Sequence, residues 1–399
     1  MRFLFTTFAA RPHLYPMVPL AWSCLAAGHE VRMASTPALQ DAIHGTGLPS
    51  LSVGSDIDAE RWFASGNFRP HAEESDTSEY DPWRRVTQRL AEKQYSVCEA
   101  MVDDLVDFGR HWSPDVLVHD PVTFAGPVAA EALGIPSVSH LYGLARLLRL
   151  EIEDWVGDQP RPGFLRLFER WDRTPRVDPT AWIDPCPPSL RWPDQRPIEP
   201  RHPMRYISYN GPGSAPNWLL DRAERPRVCV TWGTSQQKKL GPAVFELFGR
   251  IVREVAKHDV DVLLLTGGMS ETELAHLGAL PGNVRPLDWV PLNLLLPHCS
   301  AIVHTGGTGV MLTAAEAGIP QLAVTKIPEG EFNAMRVAAA GAGLQVRQDD
   351  LTDGAAGDRV GELLHNSAFA EAARALKEEM AAQPGPATIV PVLEELAKR

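Results

Sequence analysis

The 399-residue chain contains no run of about 18 uninterrupted apolar residues, the length a helix needs to cross a bilayer, so no membrane span is expected. It also lacks positive charge. Lys plus Arg total 38 against 50 for Asp plus Glu, a formal charge of −12 at pH 7 with no basic stripe, which makes nucleic acid a poor partner. Cysteine is sparse: Cys24, Cys98, Cys186, Cys229 and Cys299 are odd in number, far apart and without a C-x-x-C pair. That spacing argues against a disulfide framework and a zinc site, and it sets the expectation of a reducing, cytoplasmic home with each thiol a small buried hydrophobe. The opening Arg2-Phe3-Leu4-Phe5 turns polar at Thr6 and Thr7 and carries no cleavage site, so it is not expected to be a secretory signal. Two phosphate-loop patterns are missing as well. The first strand leads into Phe8-Ala9-Ala10-Arg11-Pro12-His13 instead of G-x-G-x-x-G, and no G-x-x-x-x-G-K-[ST] occurs, which reduces hydride transfer and ATP hydrolysis to minor alternatives.

What is present is globular: 44% hydrophobic and 22% charged residues, with a length that suits two domains at roughly 150 residues each. Short apolar runs alternate with helical patterns. Strands are expected at Phe3 to Thr7, Glu30 to Ala34, Leu48 to Val53, Asp115 to His119 and Pro136 to Ser139, with helices at Met17 to Ala27, Ala38 to His44, Pro82 to Arg110 and Phe124 to Leu133. A proline-crowded stretch from about Arg149 to Arg227 holds the interdomain linker. The scheme then resumes with strands Arg227 to Thr231, Asp261 to Leu265, Asn283 to Leu287, Ala301 to Val303 and Pro320 to Val324. Helices are expected at Ala243 to Lys257, Leu292 to Pro297, Val310 to Ala317 and Glu331 to Ala340, and a helical tail runs to Arg399. Alternation of this kind implies parallel strands with crossover helices, in two doubly wound α/β halves. Ligands of such sheets bind beyond the carboxyl ends of the strands, so the residues just after each strand are the informative ones.

After strand Ala301 to Val303 comes His304-Thr305-Gly306-Gly307-Thr308-Gly309 and then a helix. Glycines let backbone N–H groups approach a ligand, and a helix N-terminus adds partial positive charge, so this is a candidate diphosphate cradle with His304 as a further donor. Gly233 and Thr234 follow another strand of the same half. In the first half His13 lies in the first strand-to-helix loop, where an imidazole can take a proton from a nucleophile near neutral pH. Asp120 follows the strand ending at His119. Either it orients that imidazole or it caps the helix beginning near Phe124. The D-x-D pairs at Asp56 and Asp58 and at Asp259 and Asp261 do not follow strands at the inferred ligand edge, and no metal site is expected from them.

The ordered set Asp288-Trp289-Val290-Pro291-Leu292, Leu294-Leu295-Leu296, His304 to Gly309 and Glu316-Ala317-Gly318-Ile319-Pro320-Gln321 resembles the donor-site signature of family 1 glycosyltransferases. The similarity is strongest to actinobacterial macrolide and polyketide enzymes that move deoxysugars from TDP-sugars, the desosaminyltransferases among them. It extends over Val18 to Trp22, Ala27 to Arg32, Phe124 to Pro127, Met204 to Tyr206 and Tyr209 to Pro212, and so over essentially the whole chain.

The resemblance implies a GT-B fold, two Rossmann-like doubly wound domains facing a central cleft. The expected divisions are 1–210 for the acceptor domain, 211–226 for the linker, 227–383 for the nucleotide-sugar domain and 384–399 for a helix returning to the first domain. It further implies that Trp289 and the backbone of Val290 receive the base, and that His304, Gly306, Gly307, Thr308 and Gly309 hold the diphosphate beside Gly233 and Thr234. His13 is then the general base, with Asp120 behind it. The implied reaction is inverting transfer of a deoxysugar or amino sugar from a TDP-sugar to a hydroxyl of a small-molecule aglycone, with no cofactor or metal. A GT-B epimerase or sugar-nucleotide hydrolase, and a noncatalytic sugar-nucleotide binder, are the alternatives.

Two positions depart from the family pattern. Val310 stands where many relatives have Thr, and Glu329-Gly330 stands where an Asp-Gln pair usually reads sugar hydroxyls. The second departure points away from glucose as the donor. Trp62, Phe63, Phe68, Tyr80, Trp83 and Tyr95 suggest an acceptor flap. The spacing of Val86, Leu90, Val97 and Met101 equally suggests a helix face for the P450-like auxiliary protein that the resemblance implies. A homodimer is a further expectation.

Overall fold

The computed structural model describes residues 1–57, 82–144, 148–153, 159–193, 198–233 and 242–398. The chain divides into two units. One comprises Met1–Cys186, Trp192–Tyr206 and Gln383–Arg399, the other Pro187–Arg191 and Ile207–Ala382.

The first unit is built on a seven-stranded parallel sheet of β1 (Arg2–Thr6), β2 (Glu30–Ser35), β3 (Ser50–Ser52), β4 (Val116–His119), β5 (Ser137–His140), β6 (Ala181–Asp184) and β7 (Arg201–Pro203), in the order β3-β2-β1-β4-β5-β6-β7. Central strands are buried along nearly their whole length, as parallel strands covered on both faces must be, and Phe3, Leu4 and Phe5 are fully enclosed. The chain first moves outward from β1 to β3 and then returns to the other side of β1 with β4. The switch point therefore lies between β1 and β4, where Phe3 pairs with Val116 and Thr6 with His119. Short helix α1 (Arg11–Leu14) follows β1, and α2 (Val18–Ala26) leads to β2.

Helix α3 (Pro82–Trp112) buries Ala91, Val97, Cys98, Met101, Val102, Leu105 and Val106, a stripe at three- and four-residue spacing that packs with Val128 and Ala129 of α4 (Ala125–Leu133) in one core. Leu90 packs against the same core, half-buried. The apolar face suggested as a partner surface is thus largely an interior face, with Val97 and Met101 enclosed and Leu90 only partly exposed. Tyr95 stacks on Phe124 at 5.9 Å and also belongs to this packing, so it is not part of a flap. Trp62, Phe63, Phe68 and Tyr80 lie outside the described residues, as do the side chains of Trp83 and Val86.

Two strands, β6 and β7, arise inside the proline-crowded stretch, where no strand is expected from sequence. Proline suits the last of them because β7 is an edge strand, whose unpaired side needs no N–H donor.

The second unit carries six parallel strands: β8 (Arg227–Thr231), β9 (Asp261–Leu265), β10 (Val284–Leu287), β11 (Ala301–His304), β12 (Gln321–Thr325) and β13 (Gly343–Arg347). Their order is β10-β9-β8-β11-β12-β13. Here the reversal falls between β8 and β11, where Ala301 pairs with Val228 and Val303 with Val230. Helix α5 (Pro242–Val255) buries Phe248, Ile251, Val252 and Val255 against the sheet; α6 (Thr308–Ala317) and α7 (Pro328–Ala339) follow β11 and β12. Strand β13 replaces part of the expected helical tail. Helix α8 (Ala355–His365) comes after it, and α9 (Val390–Leu396) belongs to the first unit, where Glu394 bonds the His29 imidazole at 2.8 Å.

Candidate functional site

At the switch point of the first sheet, the loop after β1 and the loop after β4 bring His13 and Asp120 together. His13 sits on α1, whose short helical turn is started by Pro12, and Asp120 immediately follows β4 with its N–H bonded to the Thr6 carbonyl at 3.3 Å. His13 Nδ1 lies 3.2 Å from Asp120 Oδ1; the imidazole is 13% exposed and the carboxylate fully buried. Burial alone would push the Asp120 carboxyl up. The positive charge of a protonated His13 and hydrogen bonds from His13, Thr123 and Thr7 outweigh it and hold the group below the usual carboxylate range.

An ionised Asp120 requires a proton on His13 Nδ1, which leaves Nε2 as the basic nitrogen. Phe8 meets the imidazole edge-on at 4.5 Å and Tyr142 lies tilted against it at 4.0 Å, so the ring is held from two further sides. Asp120 is not the cap of α4. That helix begins at Ala125 with Phe124 in the capping position, while Asp120 accepts the Val122 N–H at 3.0 Å and the Thr123 hydroxyl and so fixes the loop that presents it to His13. Tyr142 and Thr123 were not legible as site residues, although Tyr142 stands two places after β5, where ligand-edge residues occur.

At the switch point of the second sheet, Gly233 follows β8 in a left-handed turn with φ +69°, and the Gly-rich loop follows β11. Thr234 lies outside the described residues. From sequence, His304 is expected to donate to a diphosphate, but its ring is buried and both nitrogens are committed: Nε2 donates to Gln321 Oε1 at 3.0 Å and Nδ1 accepts the Gly306 N–H at 3.0 Å. Burial pushes this imidazole down to about 4, only partly opposed by the Gln321 bond, so it is neutral at pH 7. His304 braces the loop from behind.

Gly306, with φ +84°, is likewise occupied, its carbonyl accepting from Asn333 Nδ2 at 2.8 Å. The Thr308 hydroxyl donates to Glu329 Oε1 at 2.7 Å. What remains for an anion is the N-terminal turn of α6, the positive end of the helix, whose N-cap, Gly307, supplies no side-chain bond. Around Gly307 and Gly309 a side chain would meet only open space, which leaves room for a ligand against the backbone. Val310 turns toward the core and packs beside Ile302 and Ala314.

Gly330 is expected from sequence to mark a missing sugar-reading amide. Instead it is buried in α7, and a Cβ there would come within 2.6 Å of the Thr305 carbonyl oxygen. Close backbone packing against the Gly-rich loop accounts for the glycine. Glu329 is half-buried beside Thr308, and Glu331 pairs with Arg347 at 3.4 Å.

Trp289 follows the edge strand β10 and is 40% exposed, with its indole N–H tethered to the Pro212 carbonyl at 3.0 Å, so a ring face is available for stacking. Val290 beside it is buried. Glu316 accepts the Ser208 N–H at 3.1 Å. Among the described residues no group of three or more His, Cys, Asp or Glu side chains is placed to hold a metal. Asp56 caps the turn at Ala38, Asp259 and Asp261 pair with Arg225, and Asp58 lies outside the described residues. No described helix is long and apolar enough to cross a membrane.

Residues 22–233 match a family described as erythromycin biosynthesis protein CIII-like, N-terminal domain, and residues 249–396 match the corresponding C-terminal domain. The chain is 37% identical to a 10-deoxymethynolide desosaminyltransferase of Streptomyces venezuelae, covering 100% of this chain and 97% of the relative. It is 36% identical to an aclacinomycin-T 2-deoxy-L-fucose transferase of Streptomyces galilaeus, covering 99% and 96%. Among solved structures, the glycosyltransferase VinC in complex with dTDP superposes with a TM-score of 0.83 at 33% identity over 100% of both chains. The spinosyn rhamnosyltransferase SpnG complexed with thymidine diphosphate gives 0.81 at 28% identity, over 99% of this chain and 100% of that one. The chain belongs to the erythromycin biosynthesis protein CIII-like family of GT-B glycosyltransferases, deoxysugar transferases of antibiotic biosynthesis.

Proposed function

We propose that the protein transfers a deoxysugar from a TDP-sugar to a hydroxyl of a polyketide or related aglycone by a single inverting displacement, with His13 as general base. The observation that carries this reading is the His13–Asp120 pair, in which a buried carboxylate fixes the imidazole tautomer and leaves Nε2 to take a proton. The acceptor oxygen forms a bond to the anomeric carbon as its proton passes to His13 Nε2. The bond from that carbon to the phosphate oxygen breaks, and TDP leaves with the electron pair. In the second unit, the first-turn amides of α6 stabilise the departing diphosphate, the role a metal plays in other transferases, and Trp289 stacks on the base. Compared with the expectation from sequence, His304 and Gly306 move from ligand contacts to supports of the loop.

The deoxysugar assignment draws on the relatives' substrates and no longer on Gly330. Five buried cysteines without disulfides favour a reducing, cytoplasmic home. A homodimer and a P450-like auxiliary protein rest on the resemblance alone, because the Leu90, Val97 and Met101 face is largely interior. Calorimetry with TDP, with and without EDTA, tests the donor side: binding unchanged by chelation is expected, and a requirement for a divalent cation would overturn the cradle.

A further inference from the structure

Helix α6 can hold a diphosphate only if its first turn keeps a fixed direction, and the two glycines of the loop before it, Gly306 and Gly307, do little to provide one. The restraint comes from α7. Asn333 is 1% exposed, and its carboxamide nitrogen donates to both the Gly306 carbonyl at 2.8 Å and the Thr308 hydroxyl at 2.9 Å. These two bonds use both amide protons. Thr308 passes its own single proton to Glu329, so this hydroxyl has none to offer a phosphate. On the other side, His304 accepts the Gly306 N–H while Gln321 holds His304 and bonds the Met311 carbonyl at 3.1 Å. The Gly306 residue is thus gripped at its N–H from β11 and at its carbonyl from α7.

The arrangement carries a cost that an apolar residue would avoid. Among the described residues Asn333 Oδ1 is buried with no hydrogen-bond partner, a desolvation cost that a side chain without this oxygen would avoid.

We propose that Asn333 is a positioning residue for the donor: it clamps the Gly306 carbonyl to the Thr308 hydroxyl so that the first turn of α6 points its amides at the diphosphate. The inference rests on the reading of α6 as the donor cradle and adds to it a residue that touches no ligand.

The full-length chain and TDP itself serve for the test. Asn333→Leu keeps the volume and discards both the clamp and the unmatched oxygen, so it melts at or above the temperature of Asn333→Ala. It binds TDP about tenfold more weakly than the wild type, the loss that one to two hydrogen bonds imply. In a transfer assay this appears as a raised donor KM together with a lowered kcat, since the same amides stabilise the departing diphosphate.

Asn333→Asp, a second variant of nearly identical shape, turns a lone pair toward the Gly306 carbonyl. It binds TDP more weakly still at pH 7 and recovers relative to the wild type at lower pH, where the carboxyl, pushed up by burial, regains a proton to donate. Wild-type TDP affinity in Asn333→Leu would overturn the clamp, as would an Asn333→Asp profile parallel to that of the wild type. Absence of TDP binding by the wild-type chain would instead overturn the donor reading beneath it.

Discussion

Replacing Gly330 with alanine adds one carbon where there is no room. The new Cβ would stand 2.6 Å from the Thr305 carbonyl oxygen, where ordinary contact begins near 3.4 Å, so the two backbones must part by roughly 0.8 Å. Neither can yield freely. The reciprocal contact is just as close, since a Cβ on Gly306 would come within 2.6 Å of Gly330 Cα, and Gly306 is bonded to His304 and Asn333 at its two polar ends. Overpacking of a tight interior costs about 1–3 kcal/mol. For a unit of this size that lowers the melting temperature by about 2–12 °C. Because the displaced atoms belong to the Gly-rich loop, TDP affinity should fall along with stability. Thermal melts with and without TDP measure both. Gly330→Gln should be worse than Gly330→Ala and should not confer use of TDP-glucose, as it would if the position merely lacked an amide. A Gly330→Ala protein with wild-type melting temperature and TDP affinity would refute the close-packing argument.

Two further outcomes follow from buried groups. Glu254 of α5 accepts the N–H groups of Gly354, Ala356 and Gly357 at 2.9, 3.1 and 3.4 Å and so caps α8, which has no cap of its own; Glu254→Ala should cost about 1–2 kcal/mol in urea unfolding, with Glu254→Gln losing less. His304 and His140 are held neutral by burial at about 4, so the unfolded chain binds more protons below about pH 6.5; stability should fall as pH drops from there toward about 4, by at most about 3 kcal/mol for each, and His304→Gln should flatten that decline by His304's share.

The positions of both constellations were legible because apolar runs of strand length end in chemistry-bearing residues: β1 gives way to the loop with His13, β4 to Asp120, β11 to the glycines. Parallel strands place such residues at one edge, and the two reversals of strand order pick out these loops among all others. Strand β7 was hidden by a proline that its edge position tolerates, β6 by the prolines crowded on both sides of it, and β13 by its mixed apolar and polar sequence directly after a helix. The spacing of Leu90, Val97 and Met101 showed that one face of α3 is apolar but not what covers it; the core does. His304 and Gly330 were misassigned for a shared reason. A motif gives the order of residues along the loop, whereas the direction of a ring or the gap behind a glycine depends on β12 and α7, which arrive later in the chain.

The central claim is that His13, oriented by Asp120, removes the acceptor proton while a separate unit holds the donor. The most direct test measures transfer from a TDP-deoxysugar by His13→Ala together with its affinity for TDP. Turnover should fall by roughly 10²–10⁴ with TDP affinity unchanged, since His13 belongs to the first unit and the cradle to the second. Turnover close to that of the wild type would contradict it.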